Sequence, residues 1–300
     1  MPDRLLSYIK TPDWDKQHHW RRAVWQGMNR LGLTGLHVLP THESWIDLVR
    51  LDMPLPGLDP QLNGFRLVQV SDLHYSPVVS RRYLSQFVAY INRLKPDLVA
   101  VTGDLVTGGY RYNRNVAGLL AKVQSRLGTV VTFGNHDYSI HGKNVHGEGR
   151  QRARHLQKAL EMHGMRVLRN EAMQVRLGDH RPMTLVGLDD EWSGHLDARR
   201  AWEGADPRTP IVCLNHNPKN VRDLLGYPWQ WMLSGHTHGR AIATSKLGKM
   251  LWSSKYREYV AGHYRVEGRD LYVNRGLSYG QRANKACRPE ITLFTLRPTS

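Results

Sequence analysis

The feature that most constrains this chain is a recurring pattern in which short apolar runs of strand length each stop at a cluster of Gly, Asp, Asn and His. Leu67, Val68 and Val70 lead into Ser71-Asp72-Leu73-His74, and Asp97–Thr102 leads into Gly103-Asp104. Thr129–Phe133 leads into Gly134-Asn135-His136-Asp137, Ile211–Leu214 into Asn215-His216-Asn217, and Trp231–Leu233 into Gly235-His236-Thr237-His238. These runs are rich in β-branched residues and lack a helical period, so they read as buried strands, as does Thr184–Leu188. From Ser80 to Leu94 the apolar residues Tyr83, Leu84, Phe87, Val88, Ile91 and Leu94 recur at three- and four-residue steps, which predicts an amphipathic helix ended by Pro96. Further helices are expected around Val116–Ser125 and, strongly basic, near Gln151–His163. Strand and helix alternation predicts an α/β core, and in such cores ligand groups converge at the C-terminal ends of strands. After His238 the texture turns to Gly-punctuated short strands, Leu271–Asn274 and Ile291–Leu296, from which an antiparallel closing sheet is expected.

Charge narrows the partner. The chain of 300 residues carries a net +16, so its surface seeks anions such as phosphate, nucleic acid or acidic lipid. The excess is uneven: Gly239–Ser300 holds 12 Lys+Arg and 4 Asp+Glu, a net +8. No apolar run approaches the length of a membrane-spanning helix, and Met1–Lys10 lacks the apolar core of a secretion signal. Cys213 and Cys287 form neither a disulfide framework nor a zinc-ligand spacing, which fits a cytoplasmic setting. Residues 1–64, with Trp14, Trp20, Trp25 and Trp45 and a Pro/Gly-rich end, are set apart as an N-terminal extension that lies on a membrane surface or straps the 65–300 domain.

The clusters at the strand ends combine hard oxygen donors with imidazoles, the donor set of manganese, iron or zinc, in a number that exceeds the needs of one ion. Two divalent cations about 3.5–4 Å apart activate water and neutralise charge on a phosphoryl group without a protein nucleophile. The eleven histidines outside the clusters, among them His155 and His263, read as ordinary core or surface residues.

Taken together, Asp72-x-His74, Gly103-Asp104, Gly134-Asn135-His136-Asp137, His216 and Gly235-His236-x-His238 resemble the calcineurin-like metallophosphoesterase superfamily, five blocks in order from about Phe65 to the C-terminus. Gly276-Leu277 with Pro289-Glu290-Ile291 resembles the bacterial branch containing membrane-lipid and nucleotide-sugar-lipid hydrolases. The resemblance implies an αββα sandwich of two mixed sheets flanked by helices. It implies Asp72, His74 and His238 on a first metal, Asp104 bridging, and Asn135, His216 and His236 completing the second, with a bridging hydroxide attacking phosphorus in line. It also implies that His136 contacts the phosphoryl oxygens or leaving group while Asp137 orients its imidazole.

Two departures add positive charge. Arg240 stands where relatives carry a second glycine and is a candidate phosphate clamp, and Lys219 stands where an acidic residue is common. The substrate expected from that branch is a lipid- or nucleotide-linked phosphate, as in a UDP-2,3-diacylglucosamine pyrophosphatase, at the cytoplasmic face of a membrane with an anionic surface. A nuclease of the same metal chemistry and a scaffold that keeps the fold without catalysis are the alternatives. The basic segments 138–154 and 246–264 are candidate lids or ordinary solvated stretches.

Overall fold

The computed structural model describes residues 46–77, 79–140, 148–239, 258–278 and 288–299. The twelve strands among them are β1 (Asp47–Pro56), β2 (Arg66–Val70), β3 (Leu98–Thr102), β4 (Thr129–Thr132), β5 (Arg166–Val167), β6 (Glu171–Val175), β7 (Met183–Gly187), β8 (Ile211–Leu214), β9 (Trp231–Ser234), β10 (Gly262–Val266), β11 (Arg269–Val273) and β12 (Glu290–Thr299). The α-helices are α1 (Arg81–Arg93), α2 (Asn113–Leu120), α3 (Glu148–Glu161) and α4 (Ala198–Trp202). One sheet runs β1-β12-β2-β3-β4-β5 and the other β10-β11-β9-β8-β7-β6. Both are mixed: β2 through β5 are parallel, as are β7, β8, β9 and β11, with antiparallel pairs at β12·β2, β6·β7 and β10·β11.

The layering follows from strand alternation, because successive side chains point to opposite faces. Leu98 and Ala100 of β3 face Leu185 of β7, Val212 and Leu214 of β8 and Leu233 of β9 in a core between the sheets. Val99 and Val101 face the other way, onto Leu84, Phe87 and Ile91 of α1 and Leu156 and Leu160 of α3. On the far side of the second sheet, Val186, Cys213, Met232 and Val273 pack with Ala201 and Trp202 of α4. The result is the expected αββα sandwich. Helix α1 begins at Ser80, whose hydroxyl accepts from the Tyr83 N–H, and its apolar stripe is buried as its period predicts.

Two expectations are corrected. Strand β1 lies within the segment set apart as an extension, yet it pairs with β12 in parallel from Asp47↔Glu290 to Pro56↔Thr299. Residues 47–56 therefore belong to the first sheet and lead through the 3-10 turn Pro60–Leu62 into β2, so the expected boundary at Gly64 moves ahead of Asp47. Met53 and Leu55 are fully buried while their neighbours Pro54 and Pro56 are exposed, a pattern tolerated because β1 is an edge strand and prolines cost no internal ladder bonds there. The closing strands also do not form one antiparallel sheet: β11 runs parallel to β9 in the second sheet, and β12 inserts between β1 and β2 in the first. Trp14, Trp20, Trp25 and Trp45 lie outside the described residues. Among the described residues no helix is long and apolar enough to cross a membrane.

Candidate metal centre

The C-terminal ends of β2, β3, β4, β8 and β9 meet where the two sheets come together. Polar side chains join the sheets just beneath this point. Buried Gln69 of β2 donates to Thr102 Oγ1 in its own sheet (3.0 Å) and to the Ser234 carbonyl of the other (2.9 Å). The Thr132 hydroxyl donates across the sandwich to the Leu188 carbonyl.

Above this floor, the loops after the strands deliver two groups of metal-competent atoms that share one carboxylate: Asp72, His74, Asp104 and His238, and Asp104, His216 and His236. Asp104 Oδ2 lies 3.4 Å from His74 Nε2 and 3.3 Å from His216 Nε2. His238 Nε2 is 3.2 Å from both Asp72 Oδ1 and His74 Nε2, and His236 Nδ1 is 3.2 Å from His216 Nε2. Asn135 Oδ1 and Asp72 Oδ1 are buried acceptors without a hydrogen-bond donor, which is costly unless a cation faces them. This donor set fits divalent ions.

The backbone is bent to achieve the convergence. Asp72, His74, Asp104, His236 and His238 all have φ between 46° and 71°, the left-handed region that non-glycine residues rarely adopt and that costs about 1–3 kcal/mol each. Close approach accounts for two glycines. A Cβ on Gly134 would stand 2.6 Å from His216 Nε2 and collide with Asp104 Oδ1, and one on Gly235 would collide with Ser71 Oγ and Asp72 Oδ2. Gly235→Ala is expected to cost about 1–3 kcal/mol of stability by overpacking and to displace Asp72. Thermal melts together with metal content of the purified variant check this.

Two of the imidazoles, those of His216 and His136, are oriented through Nδ1. His216 Nδ1 is 2.7 Å from the Thr102 carbonyl, so that nitrogen carries the proton and Nε2 faces the cluster. His136 Nδ1 meets the Thr107 carbonyl at 3.0 Å in the same way, and the His136 backbone N–H donates to Asp104 Oδ1 (2.9 Å). Here the expectation for Asp137 fails. Rather than holding the His136 ring, its carboxylate accepts the backbone N–H groups of Asp104 (2.9 Å), Leu105 (2.8 Å), Val106 (3.3 Å) and Gly134 (3.0 Å). Asp137 thus clamps the two loops that carry Asp104 and Asn135. The reason is geometric: on the tight 3-10 turn Asn135–Tyr138 it points back under its own N-terminus.

The charges of the protein groups alone are strongly coupled. Burial pushes the Asp104 and Asp72 carboxyls upward, but His216 and His136 beside Asp104, and His238 and His74 beside Asp72, hold both well below the usual carboxylate range. Burial disfavours a charged His216, yet the Asp104 carboxylate overrides it and raises the imidazole to about 10. Burial, aided by the His216 charge, lowers His236 to about 3. Asp137 is pushed up to about 8 by burial and by Asp104, and Asp190 to about 7 chiefly by burial.

Arg240 lies outside the described residues, as do 141–147 and 246–257 of the two candidate lid segments. Within the described parts, 148–154 is the first half of α3 and 262–264 belongs to β10. His155 and His263 behave as expected: the first bonds Asn113 (3.1 Å), and the second stacks on Trp231 and pairs with Asp270. Asp189, Asp190 and Trp192 are not among the residues expected at the site from the sequence. Trp192 packs edge-on against the His236 ring, with centroids 4.7 Å apart. The signal for these residues was available, since Asp189-Asp190 follows an apolar strand just as the other clusters do.

Comparison with known proteins agrees with this geometry. Residues 65–240 match the calcineurin-like phosphoesterase family model. The chain is 31% identical over 256 residues to phosphodiesterase YaeI of Escherichia coli, covering 84% of this chain and 89% of that protein. It is 30% identical over 241 residues to an uncharacterized metallophosphoesterase, YkuE, of Bacillus subtilis, covering 79% and 81% of the two chains. To UDP-2,3-diacylglucosamine pyrophosphatase LpxG of Chlamydia muridarum it is 28% identical over 293 residues, covering 83% and 88%. Two acid and imidazole clusters sharing one carboxylate, on this sandwich and with these relatives, make the chain a metal-dependent phosphohydrolase belonging to the calcineurin-like phosphoesterase family.

Proposed function

We propose that the protein is a dinuclear phosphodiesterase or pyrophosphatase acting on a lipid- or nucleotide-linked phosphate, similar to a UDP-2,3-diacylglucosamine pyrophosphatase. The observation that carries this reading is the shared carboxylate: Asp104 reaches both imidazole groups at 3.3–3.4 Å. Asp72, His74 and His238 would hold one cation, Asn135, His216 and His236 the other, and Asp104 both. Manganese is the assigned metal, with iron or zinc compatible with the same donors. Bound there, the cations supply Lewis-acid activation of water and neutralise phosphoryl charge. His136, its Nδ1–H anchored on Thr107, is assigned to the phosphoryl oxygens or leaving group through Nε2, and Asp137 to holding the loops of Asp104 and Asn135. The clustered positive charge of Gly239–Ser300 and the likeness to LpxG support an anionic, lipid-linked substrate, and the likeness to YaeI supports phosphodiester chemistry; access from the cytoplasmic face of a membrane is part of the same proposal. A nuclease of the same chemistry is the second reading, favoured by the net +16.

The test is turnover with added manganese on four substrates: a bis-aryl phosphodiester, an aryl monophosphate, a UDP-sugar lipid and single-stranded DNA. The pyrophosphate-linked lipid and the diester are expected to outrun the monoester by at least about tenfold, a difference of about 1.4 kcal/mol in barrier. A preference for the monoester overturns the proposal, and salt-steep binding with cleavage of DNA promotes the nuclease.

A further inference from the structure

Tyr138 ends the 3-10 turn that bears Asn135 and His136, and it is 1% exposed. Its hydroxyl donates to Asp189 Oδ1 (2.5 Å) and accepts from an Arg169 guanidinium N–H (2.6 Å). Arg169 Nε donates to the other oxygen of the same carboxylate (2.9 Å), and a third guanidinium nitrogen donates to Gln157 Oε1 of α3 (3.0 Å). The guanidinium also lies over the rings of Tyr138 (5.4 Å) and Phe133 (5.6 Å). Asp189 Oδ1 accepts the Asp190 N–H (2.9 Å), and the Asp189 N–H donates to Asn170 Oδ1 (2.9 Å). One carboxylate is thereby shared by the catalytic turn, the β5–β6 connection and the loop after β7, which come from both sheets.

An ion pair desolvated to this degree contributes little net stability, because removing two charges from water offsets their attraction. What a fully satisfied buried network supplies is a single geometry. Restraints from the side of the first sheet include Asp137 on the 104–106 backbone, Thr107 on the His136 ring, and Ser139 Oγ on the Gly109 N–H (2.8 Å). Tyr138 anchors the far end of the turn to the second sheet.

We infer that Tyr138, Arg169 and Asp189 form a positioning triad that fixes the Asn135–Tyr138 turn and so aims His136 at the leaving group. This rests on the role assigned to His136 above. None of the three touches the metal-competent atoms; they act through the turn. A displacement of about 1 Å in a reacting group costs as much as 10²-fold in rate, so loss of the Tyr138 hydroxyl alone is enough to test the idea.

The experiment compares Tyr138→Phe, Arg169→Lys and His136→Ala, and the double variant His136→Ala/Tyr138→Phe, on diesters with p-nitrophenyl and with alkyl leaving groups in manganese. Tyr138→Phe is expected to lower kcat about tenfold or more on the alkyl ester and less on the p-nitrophenyl ester, with KM and metal content unchanged. Arg169→Lys, which keeps the charge but loses the fork, is expected to follow the same pattern. In the His136→Ala background the Tyr138 substitution is expected to add nothing. Equal losses on both esters, or an undiminished loss in that background, overturn the triad while leaving the proposed function intact. If His136→Ala does not discriminate between leaving groups, His136 acts on the phosphoryl oxygens rather than the leaving group and the inference fails, while the proposed function stands. A Tyr138→Phe enzyme that matches the parent on both esters, beside a discriminating His136→Ala, overturns the inference alone.

Discussion

Asp104→Asn is expected to lower kcat by at least about 10³-fold, a barrier increase of about 4 kcal/mol, and to reduce bound metal at both positions together. The substitution preserves shape, and the backbone around Asp104 is held independently by Asp137. What it removes is the one negative charge within 3.4 Å of both His74 and His216. An amide in its place directs either a weaker oxygen or two N–H donors at the cations. Metal analysis of the purified variant beside kcat on a bis-aryl phosphodiester measures both effects. Turnover within a few-fold of the parent would exclude the two-metal reading.

Metal removal is expected to lower the melting temperature by about 10 °C. Occupancy at about a thousand times Kd is worth about 4 kcal/mol, and for a domain of this size each kcal/mol moves Tm by about 2–4 °C. The effect also depends on pH, with a definite sign. Without metal, His216 holds a proton up to about pH 10, against an ordinary value of 6.5, because of Asp104. A raised pKa means that its contribution to stability is complete below pH 6.5 and is lost as pH rises towards 10. Asp190, raised to about 7 mainly by burial, works in the same direction over a lower range, from about pH 4 to 7. The metal-free protein is therefore expected to weaken as pH rises, while metal, which displaces the His216 proton, binds more tightly. The gap in Tm between manganese-loaded and chelator-treated protein should widen from pH 6 to pH 9. A gap that narrows over this range would mean that the histidine cluster does not receive the metal.

Much of the architecture was legible because burial writes runs and periods into the chain. Strands β2, β3, β4, β8 and β9 show as short continuous apolar runs buried nearly throughout and helix α1 as an amphipathic period, and their ends were located within a few residues. Elements with weak periods escaped. Two-residue β5 has none, β6 is mostly half-exposed, and β1 is disguised by prolines that only an edge position permits. The destination of β12 was illegible for another reason: an apolar strand buried on both faces does not say which sheet it enters.

The site divides in the same way. Its metal-competent residues were legible because their chemistry is conspicuous against apolar strands, and because a strand that ends in Asp, Asn or His has placed that side chain at the sheet's C-terminal edge. The supporting contacts were not. Thr102 and Thr107 act through backbone carbonyls, which every residue possesses, and Gln69 reaches Ser234 only because two sheets face one another. The family resemblance made Asp137 the partner of the imidazole beside it, but a 3-10 turn sends adjacent side chains in different directions, and its carboxylate closes onto backbone N–H groups instead.

By itself, then, the sequence determined the donor set at the strand ends, the α/β alternation and the excess of positive charge, because composition and periodicity are local properties, while the layer order was implied only by the family resemblance. The resemblance implied Asp104 as the shared carboxylate and the folded chain brings it to both histidine groups, but only the tertiary structure decided that residues 47–56 complete a sheet and that Tyr138 and Arg169 meet around the Asp189 carboxylate. Those facts depend on contacts between residues far apart in the chain, and such contacts exist only once the two sheets have packed face to face.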